Sequence, residues 1–172
     1  MADNRFRWLV AVALLSPVAA ALAQAQNGAA PGATLRISGD IPAPVTLTLG
    51  DLAALPHESA PVTAEDGTKS VYDGVPLREI LARAGAPFGK QLRGKNMTTF
   101  VLATAHDGYQ VVFTLAELDT AFANEGVLVA DKHEGKPMSA PLGPLRIVCV
   151  NDKAGARSLR MLETLEVVRV RK

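Results

Sequence analysis

Residues 72–85 read YDGVPLREILARAG and predict the best-defined helix of the chain. Pro76 stands at the first helical turn, where its missing N–H is not needed, and Gly85 follows the last turn. Between them, apolar residues recur at i, i+3, i+4 and i+7, which places one apolar face on the helix: Leu77, Ile80, Leu81 and Ala84.

Short strand patterns lie on both sides of the helix. Asp66-Gly67 and Asp107-Gly108 predict hairpin turns, and Thr114 with Glu117 predicts a capped helix start. Another short helix is predicted over residues 49–56. Period-2 alternation and β-branched residues predict strands over residues 34–38, 45–49, 59–64, 70–72, 98–105, 109–115, 127–130, 145–150 and 165–170. The pattern predicts one α+β domain over residues 34–172, with a mixed β-sheet, a barrel-like core and a few short helices.

The amino terminus predicts export. Arg5 and Arg7 precede an uncharged apolar run of 16 residues, 8–23, which is shorter than the roughly 20 residues that span a bilayer. Small residues near Ala23 offer a cleavage site, and a second site ends at Ala25. Residues 1–23 are therefore predicted to be a signal peptide, and 24–33 a flexible linker. An uncleaved anchor and a buried core helix are the alternatives.

The export signal also indicates a route and a destination. Phe6 separates the two arginines, so a twin-arginine signal is not evident. An unfolded chain that crosses by the general secretory route carries no preloaded cofactor. We expect a periplasmic or secreted protein that contacts the membrane only during export.

Composition bounds the function of the remaining 149 residues. After removal of residues 1–23 the chain has 16 Lys plus Arg and 16 Asp plus Glu residues. It therefore has no excess of positive charge that would attract nucleic acid. The single cysteine, Cys149, excludes an internal disulfide and lies in an apolar run typical of a buried strand. An inert core thiol is the expected state, and a reactive or metal-binding thiol is the alternative.

General catalytic motifs are absent from the sequence. There is no Gly-x-Ser-x-Gly, phosphate loop, dinucleotide fingerprint or Cys-x-x-Cys. His57, His106 and His133 are each followed by an acidic residue, but their spacing does not match a helical metal site. We expect solvated loop histidines and no metal ligands among them.

Five segments, in order, resemble the sulfite oxidase-like molybdopterin-binding domain of oxidoreductases. The first corresponds to the family's G-V-P-L motif at the start of a helix, and the second to its hairpin with the following helix. The third corresponds to a strand followed by a G-x-P motif. The last two correspond to its G-x-P-x-R and G-A-(R/K)-S-x-K-W motifs. The matching residues are 72–81, 105–109 with 113–118, 127–130 with 135–138, 143–148 and 155–162. The resemblance extends from about residue 45 to 170 and implies the fold of that family.

The resemblance implies a molybdenum chemistry that this chain departs from. Family members bind molybdenum through a pterin dithiolene and one cysteine thiolate, and transfer oxygen to or from sulfite, a sulfoxide or nitrate. The stretch that corresponds to the family's cysteine, residues 61–70, contains none. Cys149 falls in a later strand, where the family has an apolar residue. The resemblance therefore assigns no metal ligand here and leaves the catalytic residues unknown.

The resemblance also indicates an anion site near Gly155. The family's H-G-x-P-x-R element lacks its histidine here, and its S-x-K-W element keeps a cation but loses the tryptophan. The donors that remain are the predicted cofactor-binding residues, Arg146, Arg157, Ser158 and Arg160. Guanidinium groups bind phosphate in bidentate fashion. Ordinary surface charges are the alternative interpretation.

Two functions follow from these observations. We expect an exported domain that lacks the metal-ligating cysteine and binds a small anion or a periplasmic or membrane protein, with no resident cofactor. The alternative is a periplasmic molybdopterin-dependent oxidoreductase, for which molybdopterin would be the cofactor that the resemblance implies.

Overall fold

A computed structural model describes residues 32–123 and 126–171. Its helices are α1 (Leu49–Ala53), α2 (Leu77–Arg83) and α3 (Leu115–Leu118), with 3₁₀ turns at Gly89–Gln91, Gly94–Thr98 and Gly155–Arg157. Its strands are β1 (Thr34–Gly39), β2 (Val45–Thr48), β3 (Glu58–Thr63), β4 (Lys69–Pro76), β5 (Thr99–Ala105), β6 (Gln110–Thr114), β7 (Val127–His133), β8 (Lys136–Pro137), β9 (Arg146–Cys149) and β10 (Leu162–Arg169).

The strands form two sheets. The first has the order β2-β1-β10-β5-β6, and its β1–β10 pair is parallel while the others are antiparallel. In the second sheet β3, β4 and β7 follow one another, and β8 and β9 pair with different parts of β7. This architecture confirms the predicted α+β class with a mixed sheet.

One apolar cluster joins the two sheets. Ile37 and Phe113 of the first sheet and Ile147 of the second are fully buried in it. The predicted apolar face of α2 enters the same cluster, and its Leu77, Ile80 and Leu81 are each at most 1% exposed. The helix therefore closes the core that the two sheets share, as its spacing predicts.

The observed boundaries of some strands and helices differ from the predicted ones. The predicted strand 70–72 is the eight-residue β4, because β4 pairs with β3 on one side and β7 on the other. The predicted helix 49–56 is only five residues long, and Thr48 caps it through a capping box with Asp51. The predicted cap at Thr114 is confirmed, since its hydroxyl accepts from the Glu117 N–H at 3.2 Å.

The predicted signal peptide and all but the last two residues of the predicted linker lie outside the described residues. In the part of the chain that is described, no helix has the length and apolar character needed to cross a membrane.

Candidate functional site

The four polar residues singled out from the sequence lie together around strand β9. Arg146 begins the strand and forms an isolated antiparallel bridge with Arg160. Ser158 lies beside the end of the strand, where its hydroxyl accepts from the Cys149 N–H at 3.1 Å. Arg157 ends the 3₁₀ turn that precedes Ser158. The chain returns beside β9 after the turn, and this return brings the four residues to one corner.

Two cavities meet at Arg146. The first, of about 410 Å³, lies between the β3–β4 hairpin and the loop after β9, and Tyr72 and Lys153 are among its polar lining residues. The second, of about 470 Å³, adds Tyr109 and Arg160. Arg146, Gly155 and Ser158 line both. Volumes of this size are typical of small-molecule sites, and Arg146 is the cation that the two cavities share.

Arg146 is held in place by Tyr72. Its Nη1 donates to the Tyr72 hydroxyl at 3.1 Å, and its guanidinium carbon lies 5.2 Å from the centre of the Tyr72 ring. His133 stacks on the same ring, with 4.7 Å between ring centres. Arg146 Nε is buried and has no hydrogen-bond partner among the described residues. Because an unpaired buried donor costs free energy, this corner holds a donor that a ligand would satisfy.

The Arg157 guanidinium is hydrogen-bonded to two acidic residues of the protein. Its guanidinium donates to both carboxylate oxygens of Asp152, at 2.8 and 2.7 Å, and to Glu117 at 2.8 Å. The hydrogen bonds to Asp152 outweigh burial and hold the pKa of Arg157 above its ordinary value. Its guanidinium carbon also lies 5.3 Å from the Phe113 ring centre. The geometry therefore favours Arg146 and Arg160 as anion donors, and the predicted binding role of Arg157 stays a prediction.

The histidines differ from the expectation of three solvated loop residues. His106 matches it, with 69% of its side chain exposed. His57 instead lies between the Leu55 carbonyl, 2.7 Å from Nδ1, and Asp131, 3.2 Å from Nε2. His133 is in β7 and stacks on Tyr72. The expectation was wrong for these two, because His57 is a loop residue that is half-buried against Asp131 and His133 is a half-buried strand residue. No set of three or more His, Cys, Asp or Glu side chains in residues 32–123 and 126–171 is placed to hold a metal.

The comparisons with known proteins identify the family. The family model of the oxidoreductase molybdopterin binding domain matches residues 24–172. The chain belongs to this family. A crystal structure of the sulfane dehydrogenase SoxCD from Paracoccus pantotrophus superposes with a TM-score of 0.62 at 19% identity, over 78% of this chain and 38% of that one. This similarity confirms the fold predicted from the sequence, and the chain spans well under half of the SoxCD chain that it matches. No curated protein matches the sequence.

The cofactor implied by the molybdopterin-binding family can be tested against the one thiol of the chain. The ligand that the resemblance implies is a cysteine thiolate, whereas Cys149 is 2% exposed and its side chain lies in the main apolar cluster, although the residue borders the first cavity. Burial, with a smaller contribution from Asp152, raises the pKa of the Cys149 thiol to about 12. The donors at Arg146 fit an oxyanion. The thiol does not fit a molybdenum ligand.

Tyr72 and His133 are site residues that sequence reasoning missed. Tyr72 belongs to the G-V-P-L segment, but its contact with Arg146 spans 74 positions. Tyr72 meets His133 because these two residues are register partners in the β4–β7 pair. A pattern that predicts each strand separately carries no signal for this register.

Proposed function

We propose that this member of the molybdopterin-binding family is a binding domain that takes a small oxyanion-bearing ligand at Arg146 and performs no chemistry through a protein-held metal. The observation that carries the proposal is the Arg146 guanidinium. It lies between two cavities, is positioned by Tyr72, and has a buried Nε without a partner among the described residues.

The charge distribution of the second cavity favours an oxyanion over a neutral ligand, because Arg146 and Arg160 line it with one acidic residue, Asp107. The first cavity is mixed in charge, since its lining holds Arg146 and Lys153 together with three acidic residues, Glu65, Asp66 and Asp152. A phosphate or similar group at Arg146 would accept a charge-assisted hydrogen bond from Nε, which is stronger than a bond between neutral groups. Asp152, the acid nearest in sequence to Lys153, is already paired with Arg157.

The binding is proposed to take place outside the cytoplasm, on the strength of the sequence pattern of residues 1–23. Intact-mass measurement of the protein isolated from its cells tests this part. A chain that begins at residue 24 or 26 is expected, and an unprocessed chain would contradict export by a cleaved signal. A protein partner stays a prediction of the sequence.

Elemental analysis tests the absence of a protein-held metal. We expect far less than one molybdenum per chain in protein isolated from its native compartment, and no pterin fluorescence after oxidation. About one molybdenum per chain would overturn the proposal and support the oxidoreductase alternative.

Thermal denaturation with inorganic phosphate tests the anion site. Phosphate should raise the Tm, and Arg146→Met should abolish the shift, because the Met side chain keeps much of the packing but loses the charge. Arg160→Met should reduce the shift. The matched control is Arg93→Met, since Arg93 is exposed and lines neither cavity. An unchanged shift in the Arg146 variant would overturn the assignment of the site.

A further inference from the structure

A third cavity lies at the end of the first sheet, on the other side of Met161 from the proposed oxyanion site. Its volume is about 480 Å³, and the starts of β1 and β10 and the segment from Gly143 to Leu145 form its walls. Met161 lines both this cavity and the 470 Å³ cavity at Arg160. Arg146 is not among its lining residues, so the two sites are separate.

The backbone at this cavity departs from regular strand geometry in two neighbouring places. Met161 has a φ of 49°, in the left-handed region that L-residues with side chains rarely adopt. The β10–β5 register then shifts between Leu162 and Thr164, which leaves Glu163 as the extra residue of a bulge. Bulges re-aim side chains and occur often beside functional sites, and strained residues cluster there as well. Here the bulge sends Glu163 into the cavity wall.

Two opposite charges line the cavity without meeting. Arg36 is the register partner of Thr164, so it is one position away from Glu163 on the neighbouring strand. Glu163 is engaged by His106, whose Nδ1 lies 2.5 Å from the carboxylate. No hydrogen bond or ion pair joins the Arg36 guanidinium to any described residue. The cavity therefore offers a free guanidinium beside a carboxylate that His106 holds in position.

We propose that this cavity binds a free amino acid, with its carboxylate on Arg36 and its ammonium group on Glu163. A guanidinium binds a carboxylate in bidentate fashion, and an ammonium group donates to a carboxylate. A simple oxyanion is disfavoured because Glu163 repels it, and a simple cation is disfavoured because Arg36 repels it. Pro144 and Met161, which are partly exposed and line the same cavity, would contact the remainder of the ligand.

Thermal denaturation and calorimetry with individual L-amino acids test the proposal. At least one standard amino acid should raise the Tm and bind with measurable heat. Arg36→Met and Glu163→Gln should each weaken its affinity by about tenfold or more, the effect typical of a hydrogen bond to a charged group. Both side chains are exposed, so both variants should fold. Arg93→Met, which removes an exposed arginine outside the cavity, should bind as the wild type does.

Blocked ligands identify which end of the amino acid each residue binds. The N-acetyl form lacks the ammonium group and should bind the wild type weakly, with no further loss in Glu163→Gln. The amide form lacks the carboxylate and should also bind the wild type weakly, with no further loss of affinity in Arg36→Met. The proposal is overturned if no amino acid changes the Tm at millimolar concentration, or if the affinity is the same in both variants as in the wild type.

Discussion

The thiol of Cys149 should resist modification as long as the protein is folded. Burial and the nearby Asp152 carboxylate raise its pKa to about 12. At about pH 8 a free cysteine of pKa about 8.5 is roughly one quarter thiolate, whereas a pKa of about 12 leaves about one thiolate in 10,000. The reactive population is therefore about 2,000-fold smaller. Because the residue is only 2% exposed, restricted access should slow the reaction further.

The assay is the reaction with an aromatic disulfide reagent, followed by the absorbance of the released thiolate. The folded protein should release almost none over the time in which the protein unfolded in guanidinium chloride releases one per chain. The unfolded sample serves as the control for reagent and stoichiometry. Release from the folded protein at a rate within about tenfold of the unfolded one would refute the reasoning. It would also reopen Cys149 as a metal ligand.

Three further predictions concern the scaffold. Gly74→Ala should cost about 2 kcal/mol or more, because the new Cβ would lie 2.4 Å from the Val129 carbonyl oxygen, and denaturant unfolding measures the loss. Thr48→Ala should cost about 1 kcal/mol in the same assay, since it removes a helix cap. Asp119 is buried, which opposes its ionisation, but backbone N–H donors outweigh burial and hold its pKa below the ordinary value. Its stabilisation is thus present above about pH 4 and lost as the pH falls through the folded pKa, so Asp119→Asn should flatten the acid limb of stability against pH.

Matched variants separate these effects from general damage. Gly50→Ala places its Cβ 3.6 Å from the nearest atom, an ordinary contact, and should not destabilise the protein. Thr46 is exposed on the same strand as Thr48, and its replacement by Ala should change stability by less than about 0.5 kcal/mol. A Gly74→Ala protein as stable as the wild type would contradict the steric argument. An Asp119→Asn acid limb parallel to that of the wild type would contradict the electrostatic one.

The helices and turns of the fold could be predicted from local sequence patterns. The predicted strand lengths were wrong where they depend on pairing with other strands. The helix after Pro76 and the hairpin turns at Gly67 and Gly108 depend on a few adjacent residues, and both glycines have the positive φ that such turns use. The full length of β4 depends on two partner strands, which local alternation does not contain. The buried state of Cys149 was predicted because its neighbours Ile147, Val148 and Val150 are all apolar.

The amino-acid sequence by itself determined the α+β class, the family resemblance and the absence of a cysteine in residues 61–70. Spacing, turn chemistry and residue identity are local properties of a chain, so they can be read without coordinates. Only the tertiary structure decided that Arg157 is paired with Asp152 and Glu117. It also decided that Arg146 lies between two cavities and that its Nε has no hydrogen-bond partner among the described residues. Charge pairing and burial depend on which distant segments meet, and that is settled when the two sheets pair and close on one core.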